Sequence, residues 1–146
     1  MGLEIGSASP HLENEGGREV IQAAQNAISG MQANTLRLDV AAKNVVNART
    51  VGRLDPYDGY HAQRVVQSAR AGGGVDARPV PSATPPMPVH MAYDPRADAK
   101  GLVGAPDVNL AGEAVELRMA AQGYKANAAV LSVAYEMAGM LLDKRA

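Results

Sequence analysis

LAGEAVELRMAAQGYKANAAVLSVAYEMAGMLL, running from Leu110 to Leu142, is the stretch that decides the fold. Within it Leu110, Ala114, Leu117, Ala121, Tyr124, Ala128, Leu131, Tyr135, Ala138 and Leu142 step by four and three. That spacing lines one face of a helix and sustains a coiled-coil seam. Small and large side chains alternate along it, which suits close interlocking with another helix. Asp107 and Asn109, after Pro106, are N-cap candidates. Glu113 and Glu116 suit the positive end of the helix dipole, and Lys144 with Arg145 the negative end. Drawn from Val108 to Lys144, the helix is about 55 Å long at 1.5 Å per residue. A chain of 146 residues offers such a helix too few partners to bury Val130, Val133, Met137 and Met140 as well. The expectation is an arm that packs on other chains, with an amphipathic hairpin in a small bundle as the plainer reading.

The same spacing recurs near the other end. Ile21, Ala24, Ile28, Met31, Thr35, Leu38, Ala42 and Val45 form a second heptad seam, interrupted in apolar character only by Thr35. A helix over 18–48 follows, with Gly16-Gly17 as its start and Asn47 with Thr50-Val-Gly as its stop. Gly30 in its interior costs about 1 kcal/mol relative to Ala. Either a neighbour approaches its backbone closely or the weakness is tolerated; the sequence leaves both open. Residues 1–17 are acidic, without periodicity, and are expected to form a leader without fixed structure.

Composition excludes several function classes. Fourteen Lys and Arg against fifteen Asp and Glu leave a formal net charge of -1, which gives no basic surface for nucleic acid and no attraction to anionic lipid. Apolar residues reach 47% while aromatics are 3%, tyrosine alone. Ala, Val, Leu and Met therefore supply the packing, as in helices that meet at short range. With no cysteine there is no disulfide, thiolate metal site or cysteine nucleophile. The N-terminus lacks the basic and apolar regions of a cleaved signal, and no run approaches the roughly 18 residues of a membrane span.

Between the helices, residues 49–106 change character. Tyr60 to Gln67 reads as a strand, Gly72-Gly73-Gly74 as a turn, and Val75 to Val80 as a returning strand. Pro81, Pro85, Pro86 and Pro88 bar central strand pairing, and Pro88 to Tyr93 reads as a short edge strand before Asp94-Pro95. The region is expected to be a small β-hairpin with extended loops.

Catalytic and ligand-binding patterns are missing from the sequence. His11, His61 and His90 are far apart in sequence and form no metal-ligand spacing; a hairpin could bring His61 to His90, but each reads as an ordinary surface histidine. Asp94, Asp98 and Asp107 lack the order of a calcium loop, and turn formation or capping explains them better. No Gly-Lys-Ser/Thr follows the glycine triplet, and no nucleophile elbow occurs. The reading is a protein without catalytic residues, cofactor or metal.

Two stretches carry a resemblance. Ala33-Asn-Thr-Leu-Arg-Leu-Asp-Val-Ala-Ala-Lys-Asn-Val-Val-Asn-Ala-Arg-Thr50 resembles the N-terminal signature of bacterial flagellar basal-body rod proteins. There a long helix ends in A-x-N-x-x-N-A-x-T, matched by Ala42, Asn44, Asn47, Ala48 and Thr50. Tyr93-Asp-Pro with Ala97-Asp-Ala-Lys-Gly-Leu-Val-Gly-Ala-Pro-Asp-Val-Asn109 resembles the segment leading into the family's C-terminal helix. Gly123-Tyr-Lys-Ala-Asn-Ala-Ala-Val-Leu131 is similar to its S-Y-Q-A-N-x-x-V-L run, with Tyr124 and Asn127 as the motif residues. The similarity covers Arg18 to Ala146 and is greatest to proximal-rod members. The chain departs from the family where Thr50-Val-Gly-Arg replaces the T-P-G-Y continuation, and where the leader exceeds the usual length.

The resemblance implies a mainly α fold in which both terminal helices, 18–48 and 107–146, pair as a coiled coil. Residues 49–106 then form a small outer β-hairpin and loop region. It implies self-assembly of a structural subunit into the axial drive shaft that transmits torque through the periplasm-crossing rod. Its partners would be copies of itself, other rod proteins and the flagellar type III export apparatus, which reads no cleaved signal. Ile21, Ile28, Met31, Leu38, Val45, Leu117, Tyr124, Leu131, Tyr135 and Leu142 are the expected assembly seam. The alternative is a soluble helical-hairpin adaptor or export chaperone that binds one partner through the same stripes.

Overall fold

In a computed structural model of the chain, residues 10–143 are described, with side chains from Glu15 onward. Helix α1 spans Pro10–Asn47 and helix α2 spans Leu110–Asp143. At 1.5 Å per residue they are about 57 and 51 Å long. The two pack together as an antiparallel pair: Gly30 of α1 lies beside Asn127 of α2, and Asn34 beside Gly123.

The described part of α1 is helical from Pro10, ahead of the expected start at Arg18, and runs straight through Gly16 and Gly17. Both glycines face open space, so they weaken the helix by about 1 kcal/mol each without breaking it. His11, expected in the leader, falls in α1, and residues 1–9 of the expected leader lie outside the described residues. Asn109 caps α2, its Oδ1 accepting from the Gly112 amide at 3.1 Å.

The helix pair is closed by small side chains. Val20, Ala27, Ala33, Val40, Ala41, Ala120 and Ala134 are buried, together with Ser29, Asn34 and Asn44. Close approach of the backbones replaces bulk as the source of packing.

The middle region holds two antiparallel hairpins instead of the one expected. Strand β1 (Gln63–Ala69) pairs with β2 (Val75–Pro81) in the register Gln63↔Pro81 to Ala69↔Val75. The connecting Gly72, Gly73 and Gly74 all have positive φ, 97°, 100° and 86°, a region in which side chains are strained. Strand β3 (Met87–His90) pairs with β4 (Leu102–Ala105). The expected edge strand at 88–93 is β3, set slightly earlier. Its partner β4 is a four-residue strand containing Gly104, too short to show a period of two. Gly52 and Gly104 exchange backbone hydrogen bonds of 2.8 and 2.9 Å, adding a bridge beside β4 around the fully buried Val103.

His61 and His90 are not paired across a hairpin: His61 precedes β1 and His90 lies in β3. His61 stands edge-on to the Tyr57 ring with centroids 4.9 Å apart, whereas His90 pairs with Leu102 in the other hairpin.

The β1–β2 hairpin leans on α1. Gln22 Nε2 donates to Gly72 O at 2.8 Å, and the Val75 amide donates to Ser29 Oγ at 3.1 Å. A Cβ on Gly73 or Gly74 would come within 2.7 Å of Asn26 or Ser29. The glycines thus serve the turn and the close approach together.

Candidate assembly interface

The face along which α1 meets α2 is one position away from the seams expected on apolar periodicity. On α1 the inward positions are Val20, Ala27, Gly30, Asn34, Arg37, Ala41 and Asn44; on α2 they are Glu113, Glu116, Ala120, Gly123, Asn127 and Ala134. Each residue advances a helix by 100°. The expected seams, offset by one on both helices, are therefore turned about that far out of the internal contact.

In an antiparallel pair these two rotations bring both offset faces to the same side. Ile28, Met31, Thr35 and Leu36 of α1 accordingly line one groove of about 600 Å³ with Tyr124 of α2. The β1–β2 hairpin sits on the other side, over Gln22, Asn26 and Ser29. Of the expected seam residues, Ile21, Ile28, Val45, Tyr124, Tyr135 and Leu142 are exposed. Met31, Leu38, Leu117 and Leu131 are half-buried at the margin of the helix contact. One side of the pair is thus an open apolar surface.

The internal face is polar and specific. Asn34 Nδ2 donates to Gly30 O and Asn127 Nδ2 to Gly123 O, each at 2.8 Å and each four residues back on its own helix. Each asparagine also fills the space over the other helix's glycine. The arrangement is a reciprocal clasp, related by an approximate two-fold between α1 and α2. Gly30 is therefore a site of close backbone approach. Further along, Arg37 Nε donates to Glu116 Oε1 at 2.6 Å and Arg37 Nη1 to Asn34 Oδ1 at 3.2 Å. The Glu116 hydrogen bond raises the Arg37 pKa above its ordinary value, against partial desolvation.

Asn44, a residue of the expected motif, is only 1% exposed and joins three segments. Its Nδ2 donates to Gln63 O at 2.7 Å and to Glu113 Oε1 at 2.8 Å. Its Oδ1 accepts from Tyr60 Oη and from the Gln63 amide, both at 2.9 Å. Burial raises the Tyr60 pKa, and the charge of Glu113 adds to that. Asn44 therefore ties α1 to α2 and to the root of β1. Asn47 and Thr50 finish α1: Asn47 Nδ2 donates to Lys43 O at 2.9 Å, and the Thr50 amide to Asn47 O at 2.9 Å.

Periodicity missed Gly30, Asn34, Arg37, Glu113, Glu116 and Gly123 because none is a large apolar residue. A signal was nonetheless present: Gly30-x-x-x-Asn34 and Gly123-x-x-x-Asn127 repeat one spacing in both helices. Among the described residues no helix is long and apolar enough to cross a membrane, and no three His, Asp or Glu cluster for a metal.

No protein-family model matches the chain. Against individual proteins, it is 36% identical over 115 residues to the flagellar basal-body rod protein FlgC of Escherichia coli, covering 75% of this chain and 85% of that one. The same figures hold for FlgC of Salmonella typhimurium. FlgC of Borreliella burgdorferi is 28% identical over 134 residues, 76% of this chain and 88% of the relative. With two long packed terminal helices and motif residues at the joints between helices and insert, the chain belongs to the FlgC family of flagellar basal-body rod proteins.

Proposed function

We propose that the protein is a structural subunit of the proximal flagellar rod, assembling through the open side of its helix pair. The subunit acts without turnover, passing torque to its neighbours through packed helices. The neighbours are copies of itself and other rod proteins, reached by flagellar export without a cleaved signal. No nucleic acid, direct lipid contact or cofactor enters this reading.

The observation that carries it is the common side onto which both apolar seams fall. Ile21, Ile28, Tyr124 and Tyr135 are exposed there, and monomers rarely leave such contiguous apolar surface without a partner. The internal clasp fixes the pair, leaving this side for other subunits. Identity to proteins named as rod components supplies the biological setting.

Ile21→Asp and Tyr135→Asp test it, because both side chains are exposed in the isolated subunit, 59% and 63%. Each variant should fold and melt like the parent, within about 0.5 kcal/mol, and be secreted. Each should nevertheless yield no rod and no motility, since a carboxylate then lies in every repeated interface. Leu131→Asp, half-buried, should lose both assembly and some stability, and Lys125→Asp is the mild control. Normal rods from Ile21→Asp and Tyr135→Asp together would exclude this side as the assembly surface. A chain that stays soluble on one partner and never copurifies with basal bodies would be an adaptor.

A further inference from the structure

Each strand of the two hairpins has one outer edge, and the hydrogen bonds show what each edge offers. In an antiparallel pair, residues alternate between exchanging backbone bonds with the partner strand and pointing both groups outward. The Ser82 amide donates to Ala62 O, and the Arg70 amide to Gly74 O. With the register Gln63↔Pro81 to Ala69↔Val75, the odd-numbered residues of β1 and β2 therefore face outward.

The edges of β2, β3 and β4 are closed or blunted. On β4 the outward groups of Gly104 bond to Gly52, and those of Leu102 bond to Asp98. The Met91 amide donates to Gly101 O, which turns Pro88 and His90 of β3 outward. Pro88 has no N–H to give, so the His90 amide stands isolated. On β2 the Val75 amide donates to Ser29 Oγ at 3.1 Å. Pro79 and Pro81, both outward, have none, and the Ala77 amide is left alone. Proline at outward positions keeps a further strand from pairing.

Strand β1 is different. Asn44 takes both outward groups of Gln63. Val65, Gln67 and Ala69 then point N–H and C=O outward with no partner among the described residues. Donors and acceptors at every second residue are a template for another strand.

Charge selects the strand. Within the hairpin Arg64, Arg70 and Arg78 outnumber Asp76, in a chain of net charge -1. Arg70 is paired with Asp76. Arg64 and Arg78 are exposed on one face, diagonal across the register, with no ion pair among the described residues. On the other face Val65 borders a cleft of about 280 Å³ that reaches Val40 and Ala41 of α1. Its two carboxylates, Glu113 and Glu116, are engaged by Asn44 and Arg37, so that face suits uncharged side chains. A second copy of β1 fits poorly: pairing it about Gln67 sets Arg64 against Arg70, and like charges directly opposite are destabilising.

We propose that the outer edge of β1, from Val65 to Ala69, receives an extended segment of another protein that alternates carboxylates with small apolar residues. Its backbone pairs with Val65, Gln67 and Ala69. Its apolar side chains lie on the Val65 face, and its carboxylates fall beside Arg64 and Arg78. The edge is separate from the apolar side of the helix pair, so the proposal stands independently of the rod reading.

NMR of the isotope-labelled full chain, titrated with a capped heptapeptide alternating valine and glutamate, tests it. The Val65, Gln67 and Ala69 amide signals should move downfield and exchange several-fold more slowly. The Ala77 and His90 amides should stay unchanged. Methylating the valine nitrogens of the peptide should abolish the effect, and lysine in place of glutamate should weaken it several-fold. Gln67→Pro removes the central donor at an outward position, so the Arg70 and Ser82 amides should keep their protection while binding falls about tenfold. Arg64→Glu should remove the preference for glutamate over lysine. Val65, Gln67 and Ala69 amides unmoved in millimolar glutamate peptide overturn the proposal. So does binding that survives valine methylation, or a lysine peptide that binds the parent chain equally well. The same shifts on concentrating the protein alone would assign the edge to a second copy and overturn it too.

Discussion

The amide of Asn127 lies where a side chain on Gly30 would begin: its Oδ1 is 2.5 Å, and its Cγ 2.7 Å, from the position of a Cβ there. Gly30→Ala would stabilise an isolated helix by about 1 kcal/mol. Here it must expel an amide that also donates to Gly123 O, and overpacking of that kind costs about 2 kcal/mol. The net expectation is a loss of about 1 kcal/mol and a Tm lowered by about 3 °C. Combining Gly30→Ala with Asn127→Ala should recover most of it, a non-additivity that thermal unfolding of the four species measures. Additive losses would mean the two residues do not oppose one another.

Asn44 should be among the least replaceable positions. Asn44→Ala removes both partners of Gln63 and leaves Tyr60 Oη and Glu113 without theirs. Unmet buried groups place the loss at about 2–4 kcal/mol. Asn44→Asp keeps the acceptor for Tyr60 but sets a carboxylate against Glu113, raising the pKa of the pair. Its stability should therefore rise as pH falls through the carboxylate range, a direction that denaturant titrations between pH 7 and 4 would read.

Asp94 should titrate at unusually low pH. Its carboxylate accepts from the Arg96 guanidinium at 2.8 and 2.9 Å and from the Arg96 amide at 2.9 Å. The side-chain hydrogen bond, then the amide, lowers its pKa from 3.8 to about 2. Because the folded value is the lower one, the interaction is fully present above the ordinary aspartate range and is lost as pH falls toward 2. An NMR titration should find that midpoint, and Arg96→Ala should return it upward.

Protection of backbone amides should be uneven along the helices. Ala27 to Asn44 of α1 and Glu113 to Asn127 of α2 carry the clasp, the Arg37–Glu116 pair and the Asn44 network. Beyond Tyr135, α2 exposes Met137, Met140 and Leu142. Hydrogen exchange should be slowest across the first two stretches and fastest after Tyr135 in the free subunit. Uniform protection to Asp143 would show a pair stable over its whole length without neighbours.

Periodicity located both helices because large apolar residues recur along them, and the glycine triplet located the first hairpin. The face it selected is not the one on which the two helices meet, for a physical reason. Apolar pattern weighs bulk, and the bulky residues of the two seams lie on the open side; the internal contact draws largely on Ala, Gly and Asn, so that the helices can come close. Gly16-Gly17 misled because glycine weakens an exposed helix without ending it. Strand β4 was hidden because its pairing with β3 and Gly52 comes from residues distant in sequence. The motif asparagines were legible as a family mark, whereas the four hydrogen bonds of Asn44 required the fold.

The paired hydrogen bonds between Gly52 and Gly104 have a consequence for how the chain can change length. They draw the two ends of the intervening stretch together, close to the end of α1 and the start of α2. Seen from the helices, everything between becomes a loop whose mouth is already shut. Doubling a flexible loop costs only about 0.6 kcal/mol in closure entropy. Enlarging the connection between β3 and β4, or grafting another small domain there, would leave the Gly52–Gly104 bridge and the helix register in place. One helix pair can thus carry inserts of many sizes.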